Sequence, residues 1–521
     1  MSTSKKNIEN ALMRCADSLR DTIDAANYKD YVLPLMFVKY LSDTYTEKVQ
    51  ELEKEYEGIR LERQKRYLPF TVAQDCSFST LYEQRYSDKI GEIINMAMRQ
   101  IENDNNQQLA GVLNTTDYNS ENALGTREHK NAILRELLED LYPLDLRPSQ
   151  IEVTEGQVPA DVIGDAYEYM IGQFASMAGK KAGSFYTPAA VSELMARIVA
   201  VKPGDRLYDP TCGSGSLLIK CAKQARSKQI SIYGQEVNGS SVAMAKMNMY
   251  IHEISDAKIA WGDTLANPMF KDDDGNLLTF DAIVANMPFS KDKWAVGFNP
   301  GGESSGKGKK EFKMEATLDK YHRFDWGVPP ASKGDWAFLL HMIASLAVGG
   351  RIAAVAPHGV LFRGAAEGRI RRRIVDENLL DTVIGLPENL FYGTSIPACI
   401  LVFKRGRKNT DICFIDASKK DENGNLRYVK VSNQNELSEK NINDIVTAYK
   451  NRVDVEKFVH VASLEEIRQN DYNLNIPRYV DTFEEEEPID IESVQQNIAH
   501  LKIEITEAEK QMDAYLKELG L

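Results

Sequence analysis

Residues 151–480 of this sequence predict an α/β fold, with a mainly parallel sheet and helices on both of its faces. Three observations predict it. Apolar, β-rich runs at 230–234, 282–285, 352–356 and 382–385 are separated by stretches of helical pattern. A glycine-rich turn, Asp209-Pro210-Thr211-Cys212-Gly213-Ser214-Gly215, stands between a short strand at 206–208 and a helix that begins at Ser216. A second turn, Asn286-Met287-Pro288-Phe289, closes the run 282–285. Ligands of such sheets bind at the carboxyl ends of the strands, where both turns fall.

The other elements follow along the chain. Residues 1–150 read as a helical domain, because residues 28–41 carry apolar side chains at helical spacing with charges between them. Pro34 is expected to end a turn or kink the helix there. The Asn-, Gln-, Thr- and Ser-rich segment 104–122 reads as a loop. The apolar stretch 338–357 is interrupted by His341, Gly349, Gly350 and Arg351, which predicts a buried helix, a turn and a buried strand in place of a membrane span. Residues 291–333 form a Gly-, Ser- and Lys-rich loop containing Gly306-Lys307-Gly308-Lys309-Lys310, either solvated or able to order over a polyanion. Arg369, Arg371, Arg372 and Arg373 lie on a predicted helix, as a solvated face or as phosphate contacts.

Residues 481–521 predict an assembly helix. After the acidic run 484–487 and Pro488, apolar residues recur as Ile491, Val494, Ile498, Leu501, Ile505, Ala508, Met512, Tyr515 and Leu519. The steps alternate three and four, the spacing of a heptad seam. A terminal stripe behind a charged linker suits a partner helix.

Composition narrows the function classes. With 43% hydrophobic and 27% charged residues among 521, the chain is long and apolar enough for more than one core. Six cysteines without a CxxC pair fit a reducing compartment and argue against a disulfide framework or a structural zinc, so no metal is expected. The start, Met1-Ser2-Thr3-Ser4-Lys5-Lys6, leads into a polar helix, so the expected location is the cytoplasm. The net charge of −14 is unfavourable for binding nucleic acid directly, unless positive surface is locally concentrated or another subunit supplies the grip.

The two turns suit one chemistry, methyl transfer from S-adenosylmethionine to the exocyclic amine of adenine. That nitrogen is a poor nucleophile because its lone pair is delocalised into the ring. Fixed acceptors for both of its protons draw it towards tetrahedral geometry, and such preorganised groups act where positive charge develops. The Asn286 side-chain oxygen and the Met287 carbonyl are the expected acceptors, with Pro288 stiffening the turn and Phe289 offering a ring for stacking. The base must leave the duplex to reach them. On the cofactor side, Asp209, Pro210, Thr211, Gly213, Ser214 and Gly215 would cradle the methionine end. Glu236, at the end of the next strand, is placed for the ribose hydroxyls, and Asp263 for the cofactor's adenine. Gly183-Ser184-Phe185-Tyr186-Thr187-Pro188 could close over the methionine moiety. The Asn286 geometry would equally serve another planar amide, such as a protein glutamine.

With these motifs in order, the chain resembles the modification (M) subunit of a type I restriction-modification system, a gamma-class adenine-N6 DNA methyltransferase. The resemblance runs over essentially the whole length and includes the stretch 24–43, Asp335-Trp336-Ala337-Phe338 and Tyr472-Asn473-Leu474-Asn475. It implies a Rossmann-like S-adenosylmethionine-dependent domain behind an N-terminal helical domain. It implies a specificity (S) subunit that reads double-stranded DNA, a second M subunit and, in the full endonuclease, a restriction (R) subunit. The family's usual catalytic motif is Asn-Pro-Pro-Phe or Asn-Pro-Pro-Tyr, and here Met287 replaces the first proline. A subunit kept for assembly after decay of that motif is the alternative.

Overall fold

The computed structural model describes residues 2–179, 186–299, 312–392, 394–421, 424–431, 434–481 and 491–518. The chain divides into two units, Met1–Val480 and Asp481–Leu521. Gly183, Ser184, Phe185 and the Gly306-to-Lys310 cluster lie outside the described residues.

The first unit opens with helices that share one apolar core, from Ile8 through Leu146. Its longest member, Tyr28–Glu55, runs through Pro34 without ending there. Proline cannot donate to the carbonyl four residues back, so the Asp30 carbonyl needs another partner. The Thr116 hydroxyl donates to it at 2.9 Å, and the Tyr118 hydroxyl donates to the Tyr31 carbonyl at 2.7 Å. Both donors come from the 104–122 segment, which is mostly turns here with the short helix Asn106–Leu109 inside it. The helix Pro159–Ala178 buries its apolar face in the same core, and so does one side of the helix Gly239–Ile251.

A nine-stranded sheet follows among the described residues. Its strands are β1 (Arg206–Asp209), β2 (Ser231–Glu236), β3 (Lys258–Trp261), β4 (Phe280–Asn286), β5 (Leu346–Pro357), β6 (Leu380–Gly385), β7 (Ala398–Lys404), β8 (Ile412–Asp416) and β11 (Val459–Ala462), while β9 (Val429–Val431) and β10 (Gln434–Glu436) form a separate hairpin. The order is β11-β8-β6-β7-β5-β4-β1-β2-β3. Strands β3, β2, β1, β4 and β5 are parallel, as is β6 with β8. Strand β7 is antiparallel to both β5 and β6, and β11 is antiparallel to β8.

Burial alternates with the strand period of two. Tyr208, Ile283, Ala285, Ile352 and Ala354 enter the core on one face, and Leu207, Ala282, Val284, Ala353 and Val355 enter the core on the other. This is a Rossmann-like α/β layer with both faces covered. The apolar stretch 338–357 resolves into the helix Asp335–Ala344 and strand β5, joined through Ser345; Gly349, at φ 76°, lies inside the strand and not in the expected turn. No helix among the described residues is long and apolar enough to cross a membrane.

The second unit is the helix Ile491–Glu518. Its Ile498, Leu501, Ile505, Met512 and Tyr515 are exposed.

Candidate active site at the carboxyl edge of the sheet

Adjacent parallel strands bring the two turns together. Leu207 and Tyr208 of β1 pair with Ala282 and Ile283 of β4, so the turns that leave both strands emerge side by side. A narrow cleft between them is lined by Tyr186, Thr187, Asp209, Thr211, Gly213, Ser214 and Asn286, with Cys212, Ser216 and Leu217 completing it. Ser216 and Leu217 were not anticipated from sequence. They follow from the turn's continuation into the helix Ser216–Ala225, whose first turn faces the cleft.

Local geometry explains the residue types at the glycine-rich turn. Gly213 and Gly215 adopt φ 53° and 78°, a region that disfavours side chains. The Asp209 carboxylate accepts the Thr211 N–H at 2.8 Å, and the Thr264 hydroxyl donates to the Pro210 carbonyl at 2.6 Å. Glu236 fixes the turn from β2: one oxygen accepts the Gly213 N–H at 3.1 Å, the other the Asn238 N–H at 2.9 Å. Gly234 lets Cys212 lie against β2, since a Cβ there would fall 2.9 Å from the Cys212 sulfur.

Two buried acids meet at this turn. Burial pushes the Asp209 carboxyl up to about 8, and the charge of Glu236 adds to the effect. Burial likewise raises Glu236, against the backbone N–H groups that favour its charged form. Neither forms an ion pair among the described residues. A ligand that brings positive charge and hydroxyl donors would meet this demand, and the charged methionine end and ribose of S-adenosylmethionine fit it.

At the second turn, the Asn286 amide donates to the Thr187 hydroxyl at 3.1 Å. Its other end, the side-chain oxygen, is thereby left for a substrate N–H. The bond ties Tyr186-Thr187-Pro188 to the Asn286 turn across 99 positions of chain. Met287 is only 1% exposed and packs into the core, so its backbone carbonyl is what it can offer a ligand. Pro288 is exposed, and Phe289 stands edge-on to Phe391 with ring centroids 5.9 Å apart. Buried Asp335 sets the exit of the turn by accepting the Ser290 N–H at 2.6 Å, while Arg363 pairs with its second oxygen at 3.0 Å. This makes the Asp335-Trp336-Ala337-Phe338 stretch a support for the turn.

Asp263 does not line the cleft. One of its oxygens accepts the N–H groups of Leu265 and Ala266 at 2.9 and 3.2 Å, a local turn beyond β3. Behind this turn, buried Arg323 pairs with Asp319 at 2.8 Å and donates to the Leu265 carbonyl at 2.6 Å. His341 stands 3.1 Å from Arg323 on one side and 3.1 Å from the Tyr208 hydroxyl on the other. Burial and the Arg323 charge keep that imidazole neutral, so it accepts from Arg323 and donates to Tyr208. Asp165, Glu168 and His252 bring their ligand atoms within 4.8 Å of one another, and Lys223 pairs with Asp165 at 3.0 Å.

Comparison with known proteins places these features in a family. Residues 158–488 match the model of the N-6 DNA methylase family, and residues 8–141 match the HsdM N-terminal domain. The chain is 32% identical to the methylase subunit of the type I restriction enzyme MjaVIII of Methanocaldococcus jannaschii, over 99% of this chain and 85% of that one. It is 31% identical to the MpnII methylase subunit of Mycoplasma pneumoniae, over 99% and 96%. A type I restriction-modification methyltransferase subunit from Streptococcus thermophilus superposes with a TM-score of 0.76 at 36% identity, covering 92% of this chain and all of that one.

Proposed function

The chain belongs to the N-6 DNA methylase family, as a methylase subunit of the type I restriction class, and on that premise we propose how its cleft methylates adenine in DNA. The reaction is transfer of a methyl group to the N6 amino group. S-adenosylmethionine supplies that methyl on a sulfonium, already activated for displacement. The chain's own residues supply alignment.

The Asn286 side-chain oxygen accepts one N6 proton and the Met287 carbonyl the other. The amino lone pair is thereby freed towards the methyl, and the proton displaced from N6 leaves to water. The observation that carries this reading is the bond from Asn286 to Thr187, which fixes the direction of the Asn286 oxygen inside the cleft that Asp209 shares. Asp209, Thr211, Gly213, Ser214, Tyr186 and Thr187 hold the cofactor, with Glu236 stabilising the turn and facing the ribose. Phe289, edge-on to Phe391, offers its free face to the extruded base, whose removal from the stack costs about a few kcal/mol. Asp263 stands outside the cleft lining with one oxygen held by the local turn, which leaves only its second oxygen for the cofactor's adenine.

The DNA site is read by a specificity subunit, to which the exposed heptad seam of Ile491–Glu518 offers a helix. Asn286→Ala tests the chemistry. Methyl transfer by the complex falls roughly 100-fold or more, while S-adenosylmethionine affinity, read by calorimetry, changes less than about threefold. Wild-type turnover in the variant removes Asn286 from the mechanism.

A further inference from the structure

A second polar cleft opens on the carboxyl edge of the sheet, about 480 Å³ in volume, between the turn that follows β5, the helix Ala365–Asp376 and the loop 469–473. Its lining includes Arg369, Arg372 and Arg478 together with Gly364, Gly368 and Asn473. All three arginines are exposed. Arg369 forms no ion pair among the described residues, and Arg478 meets only the Asn470 side-chain oxygen, at 3.4 Å. Arg372 lies over the Tyr472 ring and pairs with Asp471 at 3.5 Å. That pair is solvent-exposed on both sides and therefore weak.

The walls are rigid for a reason that the arginine run conceals. Arg371 is buried and donates to the carbonyls of Tyr472, Val360 and Arg363, at 2.7, 3.2 and 2.8 Å. It is therefore a clamp that holds helix, turn and loop together, neither a solvated side chain nor a phosphate contact, which corrects both sequence readings for this residue. Arg373 pairs with Glu377 at 2.8 Å.

The cleft is also coupled to the catalytic turn. Arg363, in the wall between Phe362 and Gly364, pairs with Asp335, which accepts the N–H of Ser290, the residue after Phe289. Strands β4 and β5 run side by side to this edge, with Asn286 opposite Val355.

We propose that this cleft binds a backbone phosphate of the DNA strand whose adenine enters the catalytic site, through Arg369, Arg372 and Arg478. The inference rests on the DNA-methylating reading above. On a chain of net charge −14, three arginines with little local neutralisation, presented at glycines that leave room for a backbone, form a local anion site. A phosphate held there fixes the strand relative to Asn286 without reading its sequence.

The test uses the complete complex with its specificity subunit and two duplexes, one with the target site and one without. Arg369→Ala with Arg478→Ala weakens binding to both duplexes about tenfold or more near physiological salt. It lowers the slope of log affinity against log salt by roughly one to two. The paired Arg→Lys changes retain most of the affinity, and all variants melt like wild type. Wild-type affinity and slope in the alanine pair overturn the proposal, as does an equal loss in the alanine and lysine pairs. Methylation is scored in the same samples: a wild-type complex that binds DNA but forms no N6-methyladenine defeats the catalytic reading and leaves the phosphate cleft intact.

Discussion

Asp209, proposed above to hold the cofactor, costs stability before it meets any ligand. Its carboxyl has an ordinary value of 3.8 and is raised to about 8, chiefly by burial. Below both values folded and unfolded chains are equally protonated, and the site costs nothing. As pH rises the unfolded chain releases its proton first, so stability drains away until the folded carboxyl ionises near 8. Asp209→Asn keeps an acceptor for the Thr211 N–H and removes this titration. Without cofactor, the variant melts higher than wild type at about pH 9, and the gap narrows as pH falls towards about 4. Its affinity for S-adenosylmethionine falls tenfold or more, as the cationic end loses its counter-charge. A cofactor affinity equal to wild type, or a gap that does not change with pH, contradicts this role. Sequence singled out Asp209 and Asn286 because each stands in a short local pattern. It could not show that Thr187 orients Asn286, or that Asp335 holds Ser290, since those bonds join positions 99 and 45 residues apart.

At the scale of elements, legibility followed periodicity. The runs at 230–234, 282–285, 352–356 and 382–385 are all strands, because buried β-rich stretches between helices have few alternatives. The antiparallel insertion of β7 was not legible. Ala398 to Lys404 is buried on both faces, and a fully buried strand carries no mark of its direction. Sequence could not show how the helix continues through Pro34, since the Asp30 carbonyl that the proline leaves without its helical donor is met by the distant Thr116 hydroxyl. The arginine run on Ala365–Asp376 misled in part, because helical spacing turns Arg371 inward while Arg369 and Arg372 face the cleft. The tail offers an element-scale prediction. The body Met1–Val480 has its own cores, so a chain ending before Ile489 stays folded with a near-normal melting temperature. Association with the specificity subunit, read by light scattering or co-purification, weakens at least tenfold. An unchanged complex sinks the docking role of the seam.

At the scale of the molecule, the acidic balance of the chain matches a division of labour. A subunit of net charge −14 does not grip DNA by its overall field, so affinity must come from local basic sites and from a partner. The fold brings three features to one edge of the sheet: the turn after β1 proposed to hold the cofactor, the turn after β4 proposed to accept the amine, and the arginine cleft after β5. The most direct test of this account is nucleoside mass spectrometry of unmodified DNA incubated with S-adenosylmethionine and the chain, with and without its specificity subunit. The account predicts N6-methyladenine, formed at the recognised site only when that subunit is present and lost in Asn286→Ala. A folded, cofactor-binding complex that leaves the adenines unmethylated would contradict it.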